Sequence, residues 1–239
     1  MRLLLTRPHR DSERLATELI EHGVESVIAP LLTIEPVACP VPAFEGVQAL
    51  VLTSANGAVA IATWPVPFHL PVMAVGAATA EAAREQGMTD VTTADGDVDS
   101  LAALIRNRLD PTAGRLVHVA GTAVVGDLAA MTVQDGFEIE RIVAYDAVTA
   151  ETLPRIARDA LAGGLVDGAA FFSPRTAATF VRLVVDAGLQ PAMRTVAAFC
   201  LSRAVDEALA GLAWTARHVA DRPDRKSLIA LISAAQGRR

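Results

Sequence analysis

Aromatic residues make up only 4% of this 239-residue sequence, and there is a single tyrosine, Tyr145. The apolar mass, 52% of the chain, comes instead from Ala, Val and Leu. Cysteine is also scarce. Cys39 and Cys200 lie far apart with no metal-type spacing, which suits small buried hydrophobes in a reducing cytoplasm. Long hydrophobic runs are missing: "MRLLLTRPHR" breaks after three leucines, too soon for a membrane span or an export signal. Positive charge is in deficit, and the net charge of −6 sets the global field against nucleic acid and anionic membranes. The expectation is a cytoplasmic protein with neither as a partner.

Signatures of cofactor chemistry are absent too. The five histidines, His9, His22, His69, His118 and His218, are scattered with no H-x-H or H-E-x-x-H pair, so no metal is expected. Gly121 and Gly126 mimic the glycines of a phosphate loop, but Asp127 stands where its lysine should and would repel phosphate. No G-x-G-x-x-G follows a strand, and no G-x-S-x-G elbow exists. Asp95, Asp97 and Asp99 begin like a calcium loop, yet Ser100 and Arg106 occupy the positions that need Gly and Glu. That stretch reads as a solvated turn before a helix.

What is present is alternation. "RLLLT" reads as a strand, followed by a helix in "RDSERLATELIEHG" with Leu15, Leu19 and Ile20 on one face and an end at Gly23. Strands follow in "VESVIAP", "VQALVLTS", "PVMAVG", "VTTA", "RLVHVAG" and "EIERIVAYDAV". Helices lie between them in "ANGAVAIATW", "AATAEAAREQG", "DVDSLAALIRNRL" and "AVVGDLAAMTVQDG", while "LTIEPVACPVP" is extended. This order implies βαβ units and parallel sheets.

The chain also repeats itself. "VLTSANGAVAIATW" resembles "AFFSPRTAATFVRLV", "VMAVGAATAEAAREQG" resembles "VAAFCLSRAVDEALAG", and "DVDSLAALI" resembles "DRKSLIALI". The order is kept at an offset of about 120–127 residues, so two homologous α/β domains are expected. The reading is one domain of residues 1–35 plus 147–239 and an inserted domain of residues 36–146. Segments near 33–38 and 143–148 carry the chain across and offer a pair of strands as connector. Ligands of parallel sheets bind at the carboxyl ends of strands. Thr53, Ser54 and Asn56 sit there in one pass, and Ser173 and Arg175 in the other. Gly76 and Thr79 mirror Ser202 and Val205, and Arg7 follows the first strand. Two such edges facing each other would form a cleft suited to an anion, since helix N-termini present N–H groups and partial positive charge. The plain alternatives are N-caps for the serines, a surface ion pair for Arg7 and an amphipathic anchor for Tyr145.

The ordered set "LLLTRP", "ELIEHGVESVIAPLLTIEP", "LVLTSANGAV", "MAVGAATAEAAREQG", "DGFEIERIVAYDAV", "FFSPRTAATF", "CLSRAVDEAL" and "DRPDRKSLIALI" resembles the uroporphyrinogen-III synthase family over essentially the whole chain. The resemblance implies an α/β fold of two doubly wound parallel-sheet domains of similar topology, joined by a two-stranded linker. It implies a cofactor-independent lyase of heme biosynthesis, a monomer acting on hydroxymethylbilane, with the enzyme that supplies this unstable substrate as a candidate partner. The bilane would lose its hydroxyl to give an azafulvenium cation on ring A. The substituted carbon of ring D would then attack to form a spiro intermediate, which fragments and recloses with ring D inverted. By the family pattern Tyr145 assists departure of the hydroxyl, and Thr53, Ser54, Gly76, Thr79 and Ser173 contact substrate. Asn56, Arg175, Ser202 and Arg7 are added from the residues themselves. Many family members carry glycine at the place of Ser202 and threonine at that of Val205, so a hydroxyl contact at Val205 is lost here. A two-lobed small-anion binding or sensor protein, or another cofactor-free enzyme, would share the repeat. Turnover separates the first from a synthase, and product identity the second.

Overall fold

Three consecutive leucines place strand β1 (Arg2–Leu5) at the middle of a sheet, where both faces are covered and every side chain of "LLL" is buried. From there the computed structural model, which describes residues 1–124 and 126–237, alternates strands and helices. Helix α1 (His9–Ile20) leads to β2 (Glu25–Ile28) and β3 (Leu32–Pro36). Next come β4 (Val47–Leu52), α2 (Ala55–Ala60), β5 (Val72–Ala74), α3 (Ala77–Glu85), β6 (Val91–Thr93) and α4 (Val98–Arg108). Strands β7 (Arg115–Gly121) and β8 (Ile139–Thr149) flank α5 (Leu128–Thr132). The chain then runs through α6 (Arg155–Ala162), β9 (Gly168–Phe171), α7 (Pro174–Asp186), β10 (Ala197–Cys200), α8 (Arg203–Glu207), β11 (Ala216–Val219) and α9 (Arg225–Gln236).

Two units emerge, one of Met1–Thr33 with Val148–Arg239 and one of Ile34–Ala147. The sheet of the first runs β11-β10-β9-β1-β2, all parallel. The sheet of the second runs β3-β8-β7-β4-β5-β6, with β8 to β6 parallel. Each sheet carries an apolar core on both faces, as a doubly wound fold requires. Strand β3 joins the second sheet beside β8. The Ala150 N–H donates to the Leu31 carbonyl and the Val37 N–H to the Ala144 carbonyl, so one partner's number rises as the other falls and the pairing is antiparallel.

Strand positions reveal how the units are related. Strands β4, β5 and β6 occupy the places of β9, β10 and β11, as the repeat implies. Beside them, β7 and β8 occupy the places of β1 and β2, although one pair ends its unit and the other begins it. The units are circular permutations of one topology. Equivalent capping supports the match: Asp97 accepts the Ser100 N–H at 2.7 Å to start α4, and Asp224 accepts the Ser227 N–H at 2.7 Å to start α9.

Two local expectations are corrected. Ile20 is 69% exposed, because the buried face of α1 is Ser12, Leu15 and Leu19, and Ile20 lies about 100° further round the helix. The helix expected in "AVVGDLAAMTVQDG" begins only at Leu128, where Asp127 accepts the Ala130 N–H and fixes the N-terminus; Val125 lies outside the described residues.

Candidate active site

In the second unit the crossover direction changes between β4 and β7, and the loops that leave these strands define the switch point where doubly wound sheets bind ligands. Thr53 and Ser54 follow β4. Ser54 caps α2 by accepting the Asn56 N–H at 3.1 Å. Thr53 Oγ1 lies 3.0 Å from Nε2 of His118, a side chain only 5% exposed on β7. Burial first, and the Arg141 charge second, push the His118 pKa down to about 4, so the ring is neutral at pH 7. Gly76 is the N-cap of α3, with extended backbone and no side chain to cap the helix. Thr79 sits in the first turn of α3 with its side chain buried.

The neutral state of His118 has a thermodynamic signature. Its folded pKa lies below the ordinary 6.5, so the unfolded chain takes up this proton first as pH falls. Its contribution to stability is complete above pH 6.5 and declines toward pH 4. Between pH 7 and pH 5 the wild type should lose about 2 kcal/mol more than His118→Gln, read from urea unfolding at the two pH values.

Tyr145 reaches the same edge through an irregularity. On β8 the register steps by two residues, from Ala120↔Val143 to Gly121↔Tyr145. Strict alternation would put Ala144 and Tyr145 on opposite faces; the bulge brings Ile142, Ala144 and Tyr145 into one apolar cluster. Tyr145 is buried, 8% exposed, and its ring lies over Gly121, where an added Cβ would meet Cε2 at 2.7 Å. Among the described residues its hydroxyl has no hydrogen-bond partner. Beside it, Thr122 donates its N–H to the Tyr145 carbonyl at 3.0 Å, and its hydroxyl bonds to Asp146. Arg141 Nη2 holds the loop by donating to the Gly121 and Thr122 carbonyls at 2.8 and 3.0 Å.

The first unit has its switch point between β1 and β9. Ser173 caps α7, accepting the Thr176 N–H at 3.2 Å, with Arg175 exposed in the same first turn. Arg7 follows β1. Its guanidinium donates to Asp11 at 2.7 Å and stacks over the Phe172 ring at 4.3 Å, so it is both paired and held in place. Ser202 is the N-cap of α8 and makes no side-chain capping bond, while Val205 is buried in the core. Within each unit, then, the candidate residues gather on one edge: Thr53, Ser54, Asn56, Gly76, Thr79 and Tyr145 in the second, and Arg7, Ser173, Arg175 and Ser202 in the first. Sequence reading passed over His118 and Thr122. The permutation would have flagged Thr122, whose loop after β7 is the counterpart of the one carrying Arg7. Among the described residues no group of His, Cys, Asp and Glu could hold a metal ion, and no helix is long and apolar enough to cross a membrane.

Parallel-dominated sheets in two permuted units define a doubly wound α/β protein of two domains. The family model described as uroporphyrinogen-III synthase HemD matches residues 13–230, and the chain belongs to the uroporphyrinogen-III synthase family. Its activity is that of a lyase-type enzyme in heme biosynthesis. Among solved structures, a mutant uroporphyrinogen III synthase from the extremely thermophilic bacterium Thermus thermophilus is similar over 100% of both chains, at 21% identity and a TM-score of 0.51. Uroporphyrinogen-III synthetase from Helicobacter pylori also aligns over 100% of both chains, at 13% identity and a TM-score of 0.62. At these identities the likeness concerns the fold. No curated protein sequence matches the chain.

Proposed function

We propose that the chain converts hydroxymethylbilane to uroporphyrinogen III and water, with Tyr145 donating a proton to the departing hydroxyl. Family membership over residues 13–230 carries the reaction. The role of Tyr145 is supported by a phenol at the carboxyl edge with no partner among the described residues. A phenol with an ordinary pKa near 10 is protonated at pH 7, and such general-acid help is typically worth about 10²–10⁴-fold. Because the bilane also loses its hydroxyl unaided, the share of Tyr145 lies at or below the low end. The greater task is conformational. Unassisted closure gives the uninverted isomer I, so the protein must hold the chain of pyrroles with the substituted carbon of ring D against the ring A cation. The residues assigned to the carboxylates of the substrate are Thr53, Ser54, Asn56, Gly76 and Thr79, together with Arg7, Ser173, Arg175 and Ser202. We further propose that the protein acts as a cytoplasmic monomer that receives its substrate from the enzyme that makes it.

The test is isomer analysis: hydroxymethylbilane is generated in the presence of the protein, the product oxidised, and isomers I and III separated. Predominantly isomer III is expected. Isomer I alone, at the uncatalysed rate and from folded protein, would favour the anion-binding reading. A second expectation concerns α3. Gly76 has extended backbone and an added Cβ would lie 3.4 Å from Gly96 Cα, so a side chain is accommodated. Gly76→Asp would cap α3 with its own carboxylate and repel that of the substrate. The expected result is KM raised about tenfold with thermal stability unchanged or higher.

A further inference from the structure

His118 lies in the middle of β7, on a strand whose neighbours Leu116, Val117, Val119 and Ala120 are wholly buried, and no step of the reaction above uses it. An imidazole in such a place costs stability unless it is hydrogen-bonded. Its register partners are Val51 on β4 and Arg141 on β8. Thr53 lies two residues beyond Val51 on the same face, and this stagger lets Nε2 reach the Thr53 hydroxyl at 3.0 Å. The bond therefore runs from the interior of the sheet to its carboxyl edge.

We propose that His118 is a positioning residue: its Nε2–H donates to Thr53 Oγ1 and so turns the threonine O–H outward, toward a carboxylate of the substrate. This rests on the reading of Thr53 as a substrate contact. A carboxylate only accepts hydrogen bonds, so Thr53 must donate to it. The hydroxyl oxygen is then free to accept from the ring, which requires the tautomer with the proton on Nε2. In the other tautomer the Thr53 O–H would be spent on His118, leaving lone pairs to face the anion. Burial and the adjacent Arg141 charge keep the ring neutral, so only one of its nitrogens carries a proton. Chains of this kind also polarise one another, which strengthens the terminal donor.

A double-mutant cycle on the full-length enzyme tests the proposal, with KM and kcat for hydroxymethylbilane as readouts. Thr53→Val should raise KM about tenfold, the loss of one hydrogen bond to a charged group. His118→Phe should raise KM by a similar factor with kcat little changed. His118→Gln, whose amide nitrogen sits near the place of Nε2 and can donate, should restore KM to within about twofold of wild type. Thr53→Val with His118→Phe should be no worse than Thr53→Val alone. Effects of His118→Phe that multiply those of Thr53→Val would overturn the proposal, because His118 would then act by another route. If Thr53→Val leaves KM unchanged, the substrate contact itself is wrong and the positioning role falls with it. Should His118→Phe fail to fold, the nitrogen chemical shifts of the wild-type imidazole decide: a protonated Nε2 supports the proposal and a protonated Nδ1 overturns it.

Discussion

Gly121→Ala should lower the rate of isomer III formation by about 100-fold, at least as far as Tyr145→Phe does. A methyl group there would stand 2.7 Å from Cε2 and 3.0 Å from Cζ of Tyr145, inside any tolerable contact. Both obvious escapes are obstructed. The ring is stiff and packed among Val119, Ile142 and Ala144, and the Gly121 backbone is tied to Arg141 through its carbonyl at 2.8 Å. The phenol must therefore leave its position, and overpacking of this kind costs roughly 1–3 kcal/mol of stability. Tyr145→Phe keeps the ring and removes only the hydroxyl, so it reports the proton donor alone, with an expected loss of about 10–100-fold in kcat. Stopped-time isomer analysis at saturating substrate measures both. Wild-type rates for Gly121→Ala, with the protein folded, would place the chemistry somewhere other than Tyr145.

The largest loss of stability is expected at Phe180. Its ring is fully buried, 5.1 Å from the Phe171 centroid in an edge contact and 5.8 Å from that of Trp214 in a stacked one. Phe180→Ala removes that ring from the middle of the core beneath α7 and leaves a cavity lined by Phe171, Trp214 and Leu183. The cost is about 3–5 kcal/mol, with up to about 1 kcal/mol more from the lost aromatic pairs. The chain has two tryptophans, Trp64 in the inserted unit and Trp214 in this one. In a Trp64→Phe background, fluorescence reports Trp214 alone, and its urea midpoint should fall markedly when Phe180 is truncated. Phe180→Leu, which refills much of the volume, should recover over half of the loss.

Much of the architecture is legible without coordinates, for a physical reason. Strands of parallel sheets are buried on both faces and read as unbroken apolar runs such as "RLLLT" and "VQALVLTS", set apart by helices with their own period. The repeat is visible because β4 to α4 and β9 to α9 keep the same order. The match of β7 and β8 to β1 and β2 escapes a constant-offset comparison, since permutation reverses their place in the chain. Strand-end residues such as Ser54 and Ser173 are legible because a serine between a strand and a helix is an N-cap. Nonlocal geometry is what the sequence withholds. His118 and Thr53 are 65 residues apart and meet only because β4 and β7 are neighbours. The aim of Tyr145 depends on a bulge that no local residue pattern marks. Ile20 shows the limit of face assignment by eye, where one step round a helix separates core from solvent.

The discontinuity of the first unit shapes the way the protein is born. As the chain emerges from the ribosome, β1 and β2 appear first, yet β1 needs β9 on its other side, with Leu3 paired to Gly168. At typical elongation rates that partner arrives roughly ten to thirty seconds later. During the wait one edge of β1 lacks its partner strand, and its three leucines have only α1 and the β2 region as native cover, a situation that favours pairing with other nascent chains. The inserted unit, Ile34–Ala147, is fully synthesised before β9 emerges. Its β3–β8 pairing draws the two ends of the insertion together. That shortens the effective loop which β9 must close to find β1, so the domain made second serves as a scaffold for the one begun first.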